Sequence, residues 1–444
     1  MGIITLRQAA DWCGGTVAPE YENLTFLGAN NDTRKLMPGQ LFIALEGVRD
    51  GHDFIGTAME NGAAAVLCKH CPEGVPAIIV ENPRIALGQI AAGERQRLGM
   101  KVVGVTGSVG KSTTKEMIAA VLRGTYRVSK TPANFNNDLG LPMAILAMPD
   151  STEVAVLEMG MNHFREIAYL SNIARPDVGV IINVGTMHIE HLGSREGILQ
   201  AKLEILEGMT EETPLFVNGD NDLLDAWSAE HKAIRFGMKE TCAIRAEDIS
   251  EEAGNIGYTV RTSDHSFRVE LPLEGMHYVS DSLAAVSVGL HMGVMPDQIT
   301  ERLKAFQTME GRQEIFEAKG MTIIKDCYNA GPESMAAALT VLGKRKGRRI
   351  AVLGDMLELG ECAPAEHRRV GMLAQKNADV VLAYGPNAQH VAQGMDDGCA
   401  VYTDRAVMAE SLRLQSQPGD TILFKGSHGM HMELVLEAFL KDET

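Results

Sequence analysis

Gly104, Gly107, Gly110, Lys111, Ser112 and Thr113 stand together in "GVTGSVGKSTTKEM". These residue types, in this order, suit phosphate binding. Glycines let successive backbone N–H groups converge on phosphate oxygens. Lys111 can place an ammonium against the β- and γ-phosphates of a nucleotide, and the hydroxyl of Ser112 or Thr113 can reach a magnesium ion. A helix opening near Lys111 would add the favourable end of its dipole. The step from Gly104 to Gly110 is one position longer than the common pattern, and a match anchored on Thr106 lacks its first glycine, so the stretch is a variant P-loop. An ordinary glycine turn before a helix is the bland alternative. The joint occurrence of apolar strand, turn, Lys-Ser-Thr and helix weighs against it.

Other groups fit the same chemistry. Glu158 follows the apolar run in "EVAVLEMG"; a carboxylate there offers magnesium the hard oxygen it prefers, or is a solvated strand end. His188, Glu190 and His191 follow in "INVGTMHIEHLG", where a loop histidine is as often plain polar surface. Lys202 lies in "REGILQAKLEIL", and a lysine on a helix is by default solvent-facing. Cys68 and Cys71 are the only closely spaced pair among the seven cysteines, too few for a zinc site, and the scattered count fits a reducing cytosol.

The elements that must position these groups read as α/β throughout. In residues 1–98, "QLFIAL", "AAAVLCK" and "PAIIVEN" read as short strands, with a helix in "ITLRQAADWCGG" and a longer one in "NPRIALGQIAAGERQRLG". Residues 99–312 alternate buried-type strands ("MKVVGVTG", "EVAVLEMG", "PDVGVIINVG", "ETPLFVNGDN") with helices, as in a mostly parallel sheet covered on both faces. Within them, 240–275 differ and read as a β-hairpin or small antiparallel patch, with the helix "YVSDSLAAVSVGLHMG" after it. Residues 313–444 repeat the α/β texture in "MTIIKDCYN", "RRIAVLGDM", "ADVVLAYG" and "GDTILFKGS", with polar groups at the strand C-terminal ends, where open sheets bind ligands. The expected fold is three α/β domains: a central P-loop domain on a mostly parallel sheet, flanked by a small N-terminal domain and a C-terminal Rossmann-like domain.

Bulk composition narrows the function classes. A chain of 444 residues, 45% of them hydrophobic, affords two or three cores. A net charge of −17 argues against a nucleic-acid binder, which must neutralise phosphates with Lys and Arg. No apolar run reaches membrane-span length and no secretion signal is visible, so a cytoplasmic protein without a membrane span is expected.

Seven stretches across all three units resemble the Mur ligase family, and within it the MurF type: "VTGSVGKSTTKEM", "KTPANFNNDLGLP", "LEMGMNHFREI", "NVGTMHIEHLGSREGILQAKLEI", "DCYNAGPESM", "LGDMLELG" and "LFKGSHGMHME". The resemblance implies a monomeric, ATP- and Mg²⁺-dependent enzyme joining UDP-N-acetylmuramoyl-tripeptide to D-alanyl-D-alanine through an acyl phosphate. By its motifs, Lys202 is the family's carbamylated lysine, and Glu158 and His188 are its metal-linked partners. Ser112 or Thr113 would hold the nucleotide's magnesium, and Asn134, Asn136 and Asn137 would line the substrate and phosphate side. Asn329 and Arg312 fall near the base and hinge, and Asp355 near the ribose. Lys425 and Ser427 fall at the C-terminal edge of the cleft, and Asp32, Thr33 and Arg34 at the UDP-sugar end. Two departures stand out: "YNANP" reads "YNAGP", with Gly331, and "KGSR" reads "KGSH", with His428. The first is expected to widen a turn; the second exchanges a permanent cation for a group that titrates near neutrality. A different ligase of the family, or a P-loop NTPase that gates rather than ligates, are the other functions the motifs allow.

Overall fold

The structure is a computed structural model that describes residues 3–252 and 254–441. Three main sheets carry the three units, besides a two-stranded antiparallel pairing of Ile4–Thr5 with Thr25–Phe26. A four-stranded parallel sheet runs in the order Ala29–Asn30, Leu41–Ile43, Ala65–Cys68, Ala77–Ile79. Beside it, helix Leu6–Cys13 starts on a Thr5/Gln8 capping box and stops at Gly14, whose φ of 65° suits a residue without Cβ. Helix Pro83–Leu98 opens on the Asn82 side chain, which accepts from the N–H groups of Arg84 and Ile85, and closes at Gly99. Leu87, Ile90 and Ala91 are fully buried along it. Their core is continuous with Val102, Ala155 and Leu157 on one face of the central sheet. Burying each aliphatic side chain contributes roughly 1.5–3 kcal/mol, so this helix ties the first unit to the second.

The central sheet has nine strands, in the order Ser266–Leu271, Asn255–Arg261, Ile244–Glu252, Ile234–Gly237, Leu215–Asn218, Val178–Ile181, Lys101–Thr106, Val154–Glu158, Val128–Lys130. Pairing is parallel from Val128–Lys130 as far as Ile244–Glu252 and antiparallel for the last two steps. The segment expected as a β-hairpin or small antiparallel patch is antiparallel and extends this one sheet. Its apolar residues, including Ile256, Tyr258 and Val260, join the same core as Val103 and Val105. After Lys101–Thr106 the chain first builds outward on one side and then crosses to Val178–Ile181 on the other. The switch point, where open sheets bind ligands, thus falls at the P-loop.

The third sheet has six strands, in the order Glu314–Ala318, Met321–Asp326, Thr421–Lys425, Arg349–Gly354, Val380–Tyr384, Cys399–Tyr402. Only the first pair is antiparallel. Two of these strands lacked a sequence signal: Glu314–Ala318 is partly exposed along its length, and Cys399–Tyr402 is a half-buried edge. Among the described residues no helix is long and apolar enough to cross a membrane.

Candidate active site

Strand Lys101–Thr106 ends in the glycine turn, and helix Lys111–Leu122 follows Gly110, which sits at φ 81°. The turn is held from the neighbouring strand end. Asn183 Oδ1 accepts from the N–H groups of Ser108 and Val109 at 2.9 and 3.0 Å, and its Nδ2 donates to the Val109 carbonyl at 3.0 Å. Lys111 Nζ folds back on the loop, donating to the carbonyls of Gly107 (2.8 Å) and Ser108 (3.2 Å). Burial pushes its pKa down, Glu158 opposes that shift, and Arg312 adds to it.

Glu158 is the last residue of its strand rather than one beyond it, and it is 2% exposed. Its carboxylate accepts from Ser112 Oγ at 2.7 Å and Asn136 Nδ2 at 2.8 Å, with Lys115 Nζ 3.7 Å away. Arg312, in the link to the third unit, donates to Ser112 Oγ at 2.9 Å and lies 3.9 Å over the Tyr328 ring. The link thereby touches the helix that opens the phosphate loop. Asp281, on helix His277–His291, accepts from Thr114 Oγ1 at 3.1 Å.

These elements frame a cavity of about 430 Å³ at the C-terminal ends of the central strands, roofed by the third unit. Gly110, Lys111, Ser112, Thr113, Asn136 and Glu158 line it from below. His188 and Arg312 reach it from the side, and Asn329 and Lys425 from above. Lys425 Nζ donates to Asp326 Oδ2 at 2.6 Å and to the Asn329 carbonyl at 3.1 Å.

Other sequence-derived positions lie apart. Gly107 sits beneath the loop, against Ile182. Asp355 is buried outside the cavity lining, where it accepts from the Asn387 N–H and Nδ2. Ser427 braces that region, accepting from the Leu357 N–H and donating to the Ala330 carbonyl. Asn134 is exposed, with its carbonyl accepting from the Asn136 N–H. Asn137 Oδ1 accepts from the N–H groups of Leu139 and Gly140 at the start of helix Gly140–Leu146. Asp32, Thr33 and Arg34 form an exposed turn in the first unit. There Arg34 binds both oxygens of Asp32, holding that carboxyl down at about 2, and the Thr33 carbonyl accepts from Asn61.

Two placements depart from the solvent-facing default of their residue types. Lys202 is a helical lysine, yet it is 2% exposed, and no hydrogen bond or ion pair reaches its Nζ among the described residues. Burial, with the nearby Lys111 charge, pushes its pKa well below the usual lysine range. His188, at φ 64°, turns toward the third unit: its Nδ1 lies 2.6 Å from Glu358 Oε2. Gly331 does not widen a turn. It is extended (φ −146°) and caps helix Pro332–Gly343, and a Cβ there would lie 2.1 Å from Met187 Sδ. A side chain at this position would have to displace the Met187 side chain, which packs here from the second unit. His428 packs against Tyr328 and His431, with ring centroids 6.1 and 5.9 Å away.

The donor set suits magnesium. Ser112 and Glu158 present hard oxygens side by side at the phosphate loop. Among the described residues no three His, Cys, Asp or Glu side chains form a ready-made cage.

The family models for the Mur ligase middle domain and for the Mur ligase glutamate ligase domain match residues 105–289 and 311–428. The chain belongs to the Mur ligase family. It is 39% identical to the UDP-N-acetylmuramoyl-tripeptide–D-alanyl-D-alanine ligase of Bacillus subtilis, over 98% of either chain. Among solved structures, MurF from Acinetobacter baumannii superposes with a TM-score of 0.93 at 30% identity, covering both chains fully. MurF ligase from Thermotoga maritima, solved in complex with ADP, gives 0.84 at 32% identity, covering 93% of this chain and 96% of that one. Use of ATP and magnesium is general to Mur ligases.

Four residues of this ligase's cleft region escaped sequence reasoning: Lys115, Asn183, Asp281 and Glu358. Lys115 carried a weak signal, one helical turn past Lys111 on the same face. Asp281 carried another, as a lone acid within the otherwise small and apolar "YVSDSLAAVSVG". Asn183 and Glu358 carried none, because only the packing of distant segments gives them a role.

Proposed function

We propose that this ligase joins D-alanyl-D-alanine to UDP-N-acetylmuramoyl-tripeptide at the expense of ATP, in the synthesis of peptidoglycan precursor in the cytoplasm. End-to-end similarity to enzymes of that name carries the assignment. The cleft is consistent with it, because one cavity is lined both by the phosphate loop and by Asn329 and Lys425 of the third unit. A carboxylate is a poor electrophile. Transfer of the γ-phosphoryl group to the tripeptide carboxylate gives an acyl phosphate and ADP; the dipeptide amine then attacks the acyl carbon, and phosphate leaves.

The residues divide this work as follows. Lys111 leaves the loop carbonyls and follows the β- and γ-phosphates through transfer. Residues 99–312 hold ATP, with Asn329 and Arg312 toward the base and Asp355 supporting the ribose side from behind the lining. Residues 313–444 present the dipeptide, with Lys425 and Ser427 at that edge. Asn134, Asn136 and Asn137 belong to the loop on the substrate side. Magnesium, when bound, neutralises phosphate charge and polarises the group in flight, with Ser112, Thr113, Glu158, His188 and carbamylated Lys202 as its protein-side holders. Closing the third unit over the loop excludes water that would hydrolyse the acyl phosphate. The enzyme acts as a monomer.

Residues 1–98 would grip the UDP end through Asp32, Thr33 and Arg34. Arg34 makes no contact that the fold needs beyond its own turn, and its side chain is 86% exposed. Arg34→Ala is therefore expected to weaken binding of the UDP-tripeptide by about tenfold or more, as loss of a charge-assisted contact does, and to leave ATP binding nearly intact. Calorimetry with each ligand separately checks this. An equal loss for both would mean damage to the fold.

Phosphate release, measured with ATP and each acceptor in turn, tests the assignment as a whole. Release is expected only when UDP-tripeptide is present, with full turnover only when the dipeptide is added. Release from ATP alone at the full rate would favour a gating NTPase. Dependence on a single amino acid in place of the dipeptide would favour another ligase of the family.

A further inference from the structure

Asp281 occupies an unusual place. It is 4% exposed, yet it lines the cavity beside the phosphate loop. Its Oδ1 is spent twice. It accepts from Thr114 Oγ1 at 3.1 Å, and it packs on Gly110 so closely that a Cβ there would lie 2.7 Å away. Its Oδ2 has no hydrogen-bond partner among the described residues and is not among the buried unpartnered atoms, so it is open to the cavity.

The groups around it are few. Helix Lys111–Leu122 offers the Thr114 hydroxyl; its Lys111 amine is turned to the loop carbonyls. The link to the third unit offers Arg312, whose guanidinium is engaged with Ser112 and Tyr328. Its own helix offers Tyr278, one turn earlier, as a neutral phenol whose pKa burial pushes up. Strand Leu215–Asn218 brings only the Asn218 amide to the cavity. Among the described residues no cation is bonded to the Asp281 carboxyl. Burial dominates and pushes it up to about 7, against the smaller opposing effects of Thr114 and Arg312.

A nucleotide placed on this loop brings several negative charges next to that carboxyl. A like charge at close range disfavours ionisation of a neighbouring acid. A protonated carboxyl, by contrast, turns an O–H donor toward a ligand rich in acceptor oxygens and nitrogens. We propose that nucleotide binds the form of the cleft in which Asp281 is protonated, so that ATP or ADP binding takes up a proton at Oδ2, a proposal which rests on the nucleotide site proposed above.

Binding that takes up a proton weakens as pH rises. With the free carboxyl at about 7, uptake is about half a proton at pH 7 and grows as pH rises, as long as the bound form stays protonated. The dissociation constant for Mg-ADP should then rise by up to about tenfold per pH unit above 7.

Calorimetric titration of the full chain with Mg-ADP tests this. Matched runs in two buffers of different ionisation enthalpy, from pH 6.5 to 8.5, count the protons. The wild-type chain should take up protons in that range, and Asp281→Asn should lose the part due to this residue and flatten the pH dependence of affinity. Lys111 and Lys202, whose pKa values are also pushed down, supply a background that the Asn variant keeps. Thr114→Val removes the one hydroxyl that favours the anion, so its affinity should begin to fall at a higher pH than in the wild type. This variant carries the test if Asp281→Asn does not fold. Uptake unchanged in Asp281→Asn, or an onset unmoved in Thr114→Val, would overturn the proposal. Absence of any ADP binding by the wild type would instead overturn the nucleotide site itself.

Discussion

Lys111→Ala is expected to lower ligation turnover by roughly 10²-fold or more, the scale of a lost transition-state donor. The phosphoryl group in flight carries charge that a fixed ammonium must meet. That ammonium donates to the carbonyls of Gly107 and Ser108, within reach of any phosphate on the loop. Arg312 is another cation beside the loop, but its Nη2 is committed to Ser112 and its guanidinium to the Tyr328 face. It is therefore a poor substitute. Lys111→Arg should rescue little, since its planar fork is larger and differently shaped. Steady-state kinetics with saturating ATP checks the effect. Ligation at a near-normal rate in the Ala variant would remove the P-loop from the mechanism.

Lys202→Ala should abolish most ligation while the chain stays folded. A plain surface lysine would be nearly silent to this change, within about 0.5 kcal/mol of stability. Lys202 is not on the surface. Among the described residues it is buried with no counter-charge, and a buried amine avoids the cost of ionisation by staying neutral. A neutral amine is the form that reacts with carbon dioxide: its lone pair bonds to the carbon, one proton departs, and a carbamate anion remains. The modified side chain offers oxygen where the bare ammonium offered only repulsion to Lys111 and to a metal. Activity should accordingly fall when carbon dioxide is removed and return with bicarbonate, and a short carboxylate in solution should partly restore the Ala variant. Carbon-13 bicarbonate labelling read by NMR detects the adduct directly; intact mass is a poor test because acid releases it. An unmodified amine in the active complex would refute the claim without touching the ligase assignment.

Part of this protein was legible from its residues alone. The phosphate loop is contiguous: an apolar strand, three glycines and Lys-Ser-Thr lie within one short stretch, so local backbone preferences suffice to form it. Helix Pro83–Leu98 was equally plain, because Asn82, Pro83 and Gly99 mark its ends chemically. The alternation of strands and helices gave the α/β class in all three units, and motif resemblance pointed to the family.

Packing decided the rest. The antiparallel hairpin Asn255–Leu271 was legible, but strand patterning says nothing about which edge a strand joins; the shared core with Val103 and Val105 put it in the central sheet. The burial of Lys202 could not be read from a helix whose other polar residues face water, because one face of a helix is hidden only by what packs on it. The contact of His188 with Glu358 and that of Arg312 with Ser112 span 170 and 200 positions of chain. The seat of Asp281 on Gly110 is another such long-range meeting. Local sequence fixes backbone shape through short-range sterics and hydrogen bonds. Charge, burial and proton affinity depend on neighbours that only the folded chain brings within a few ångströms.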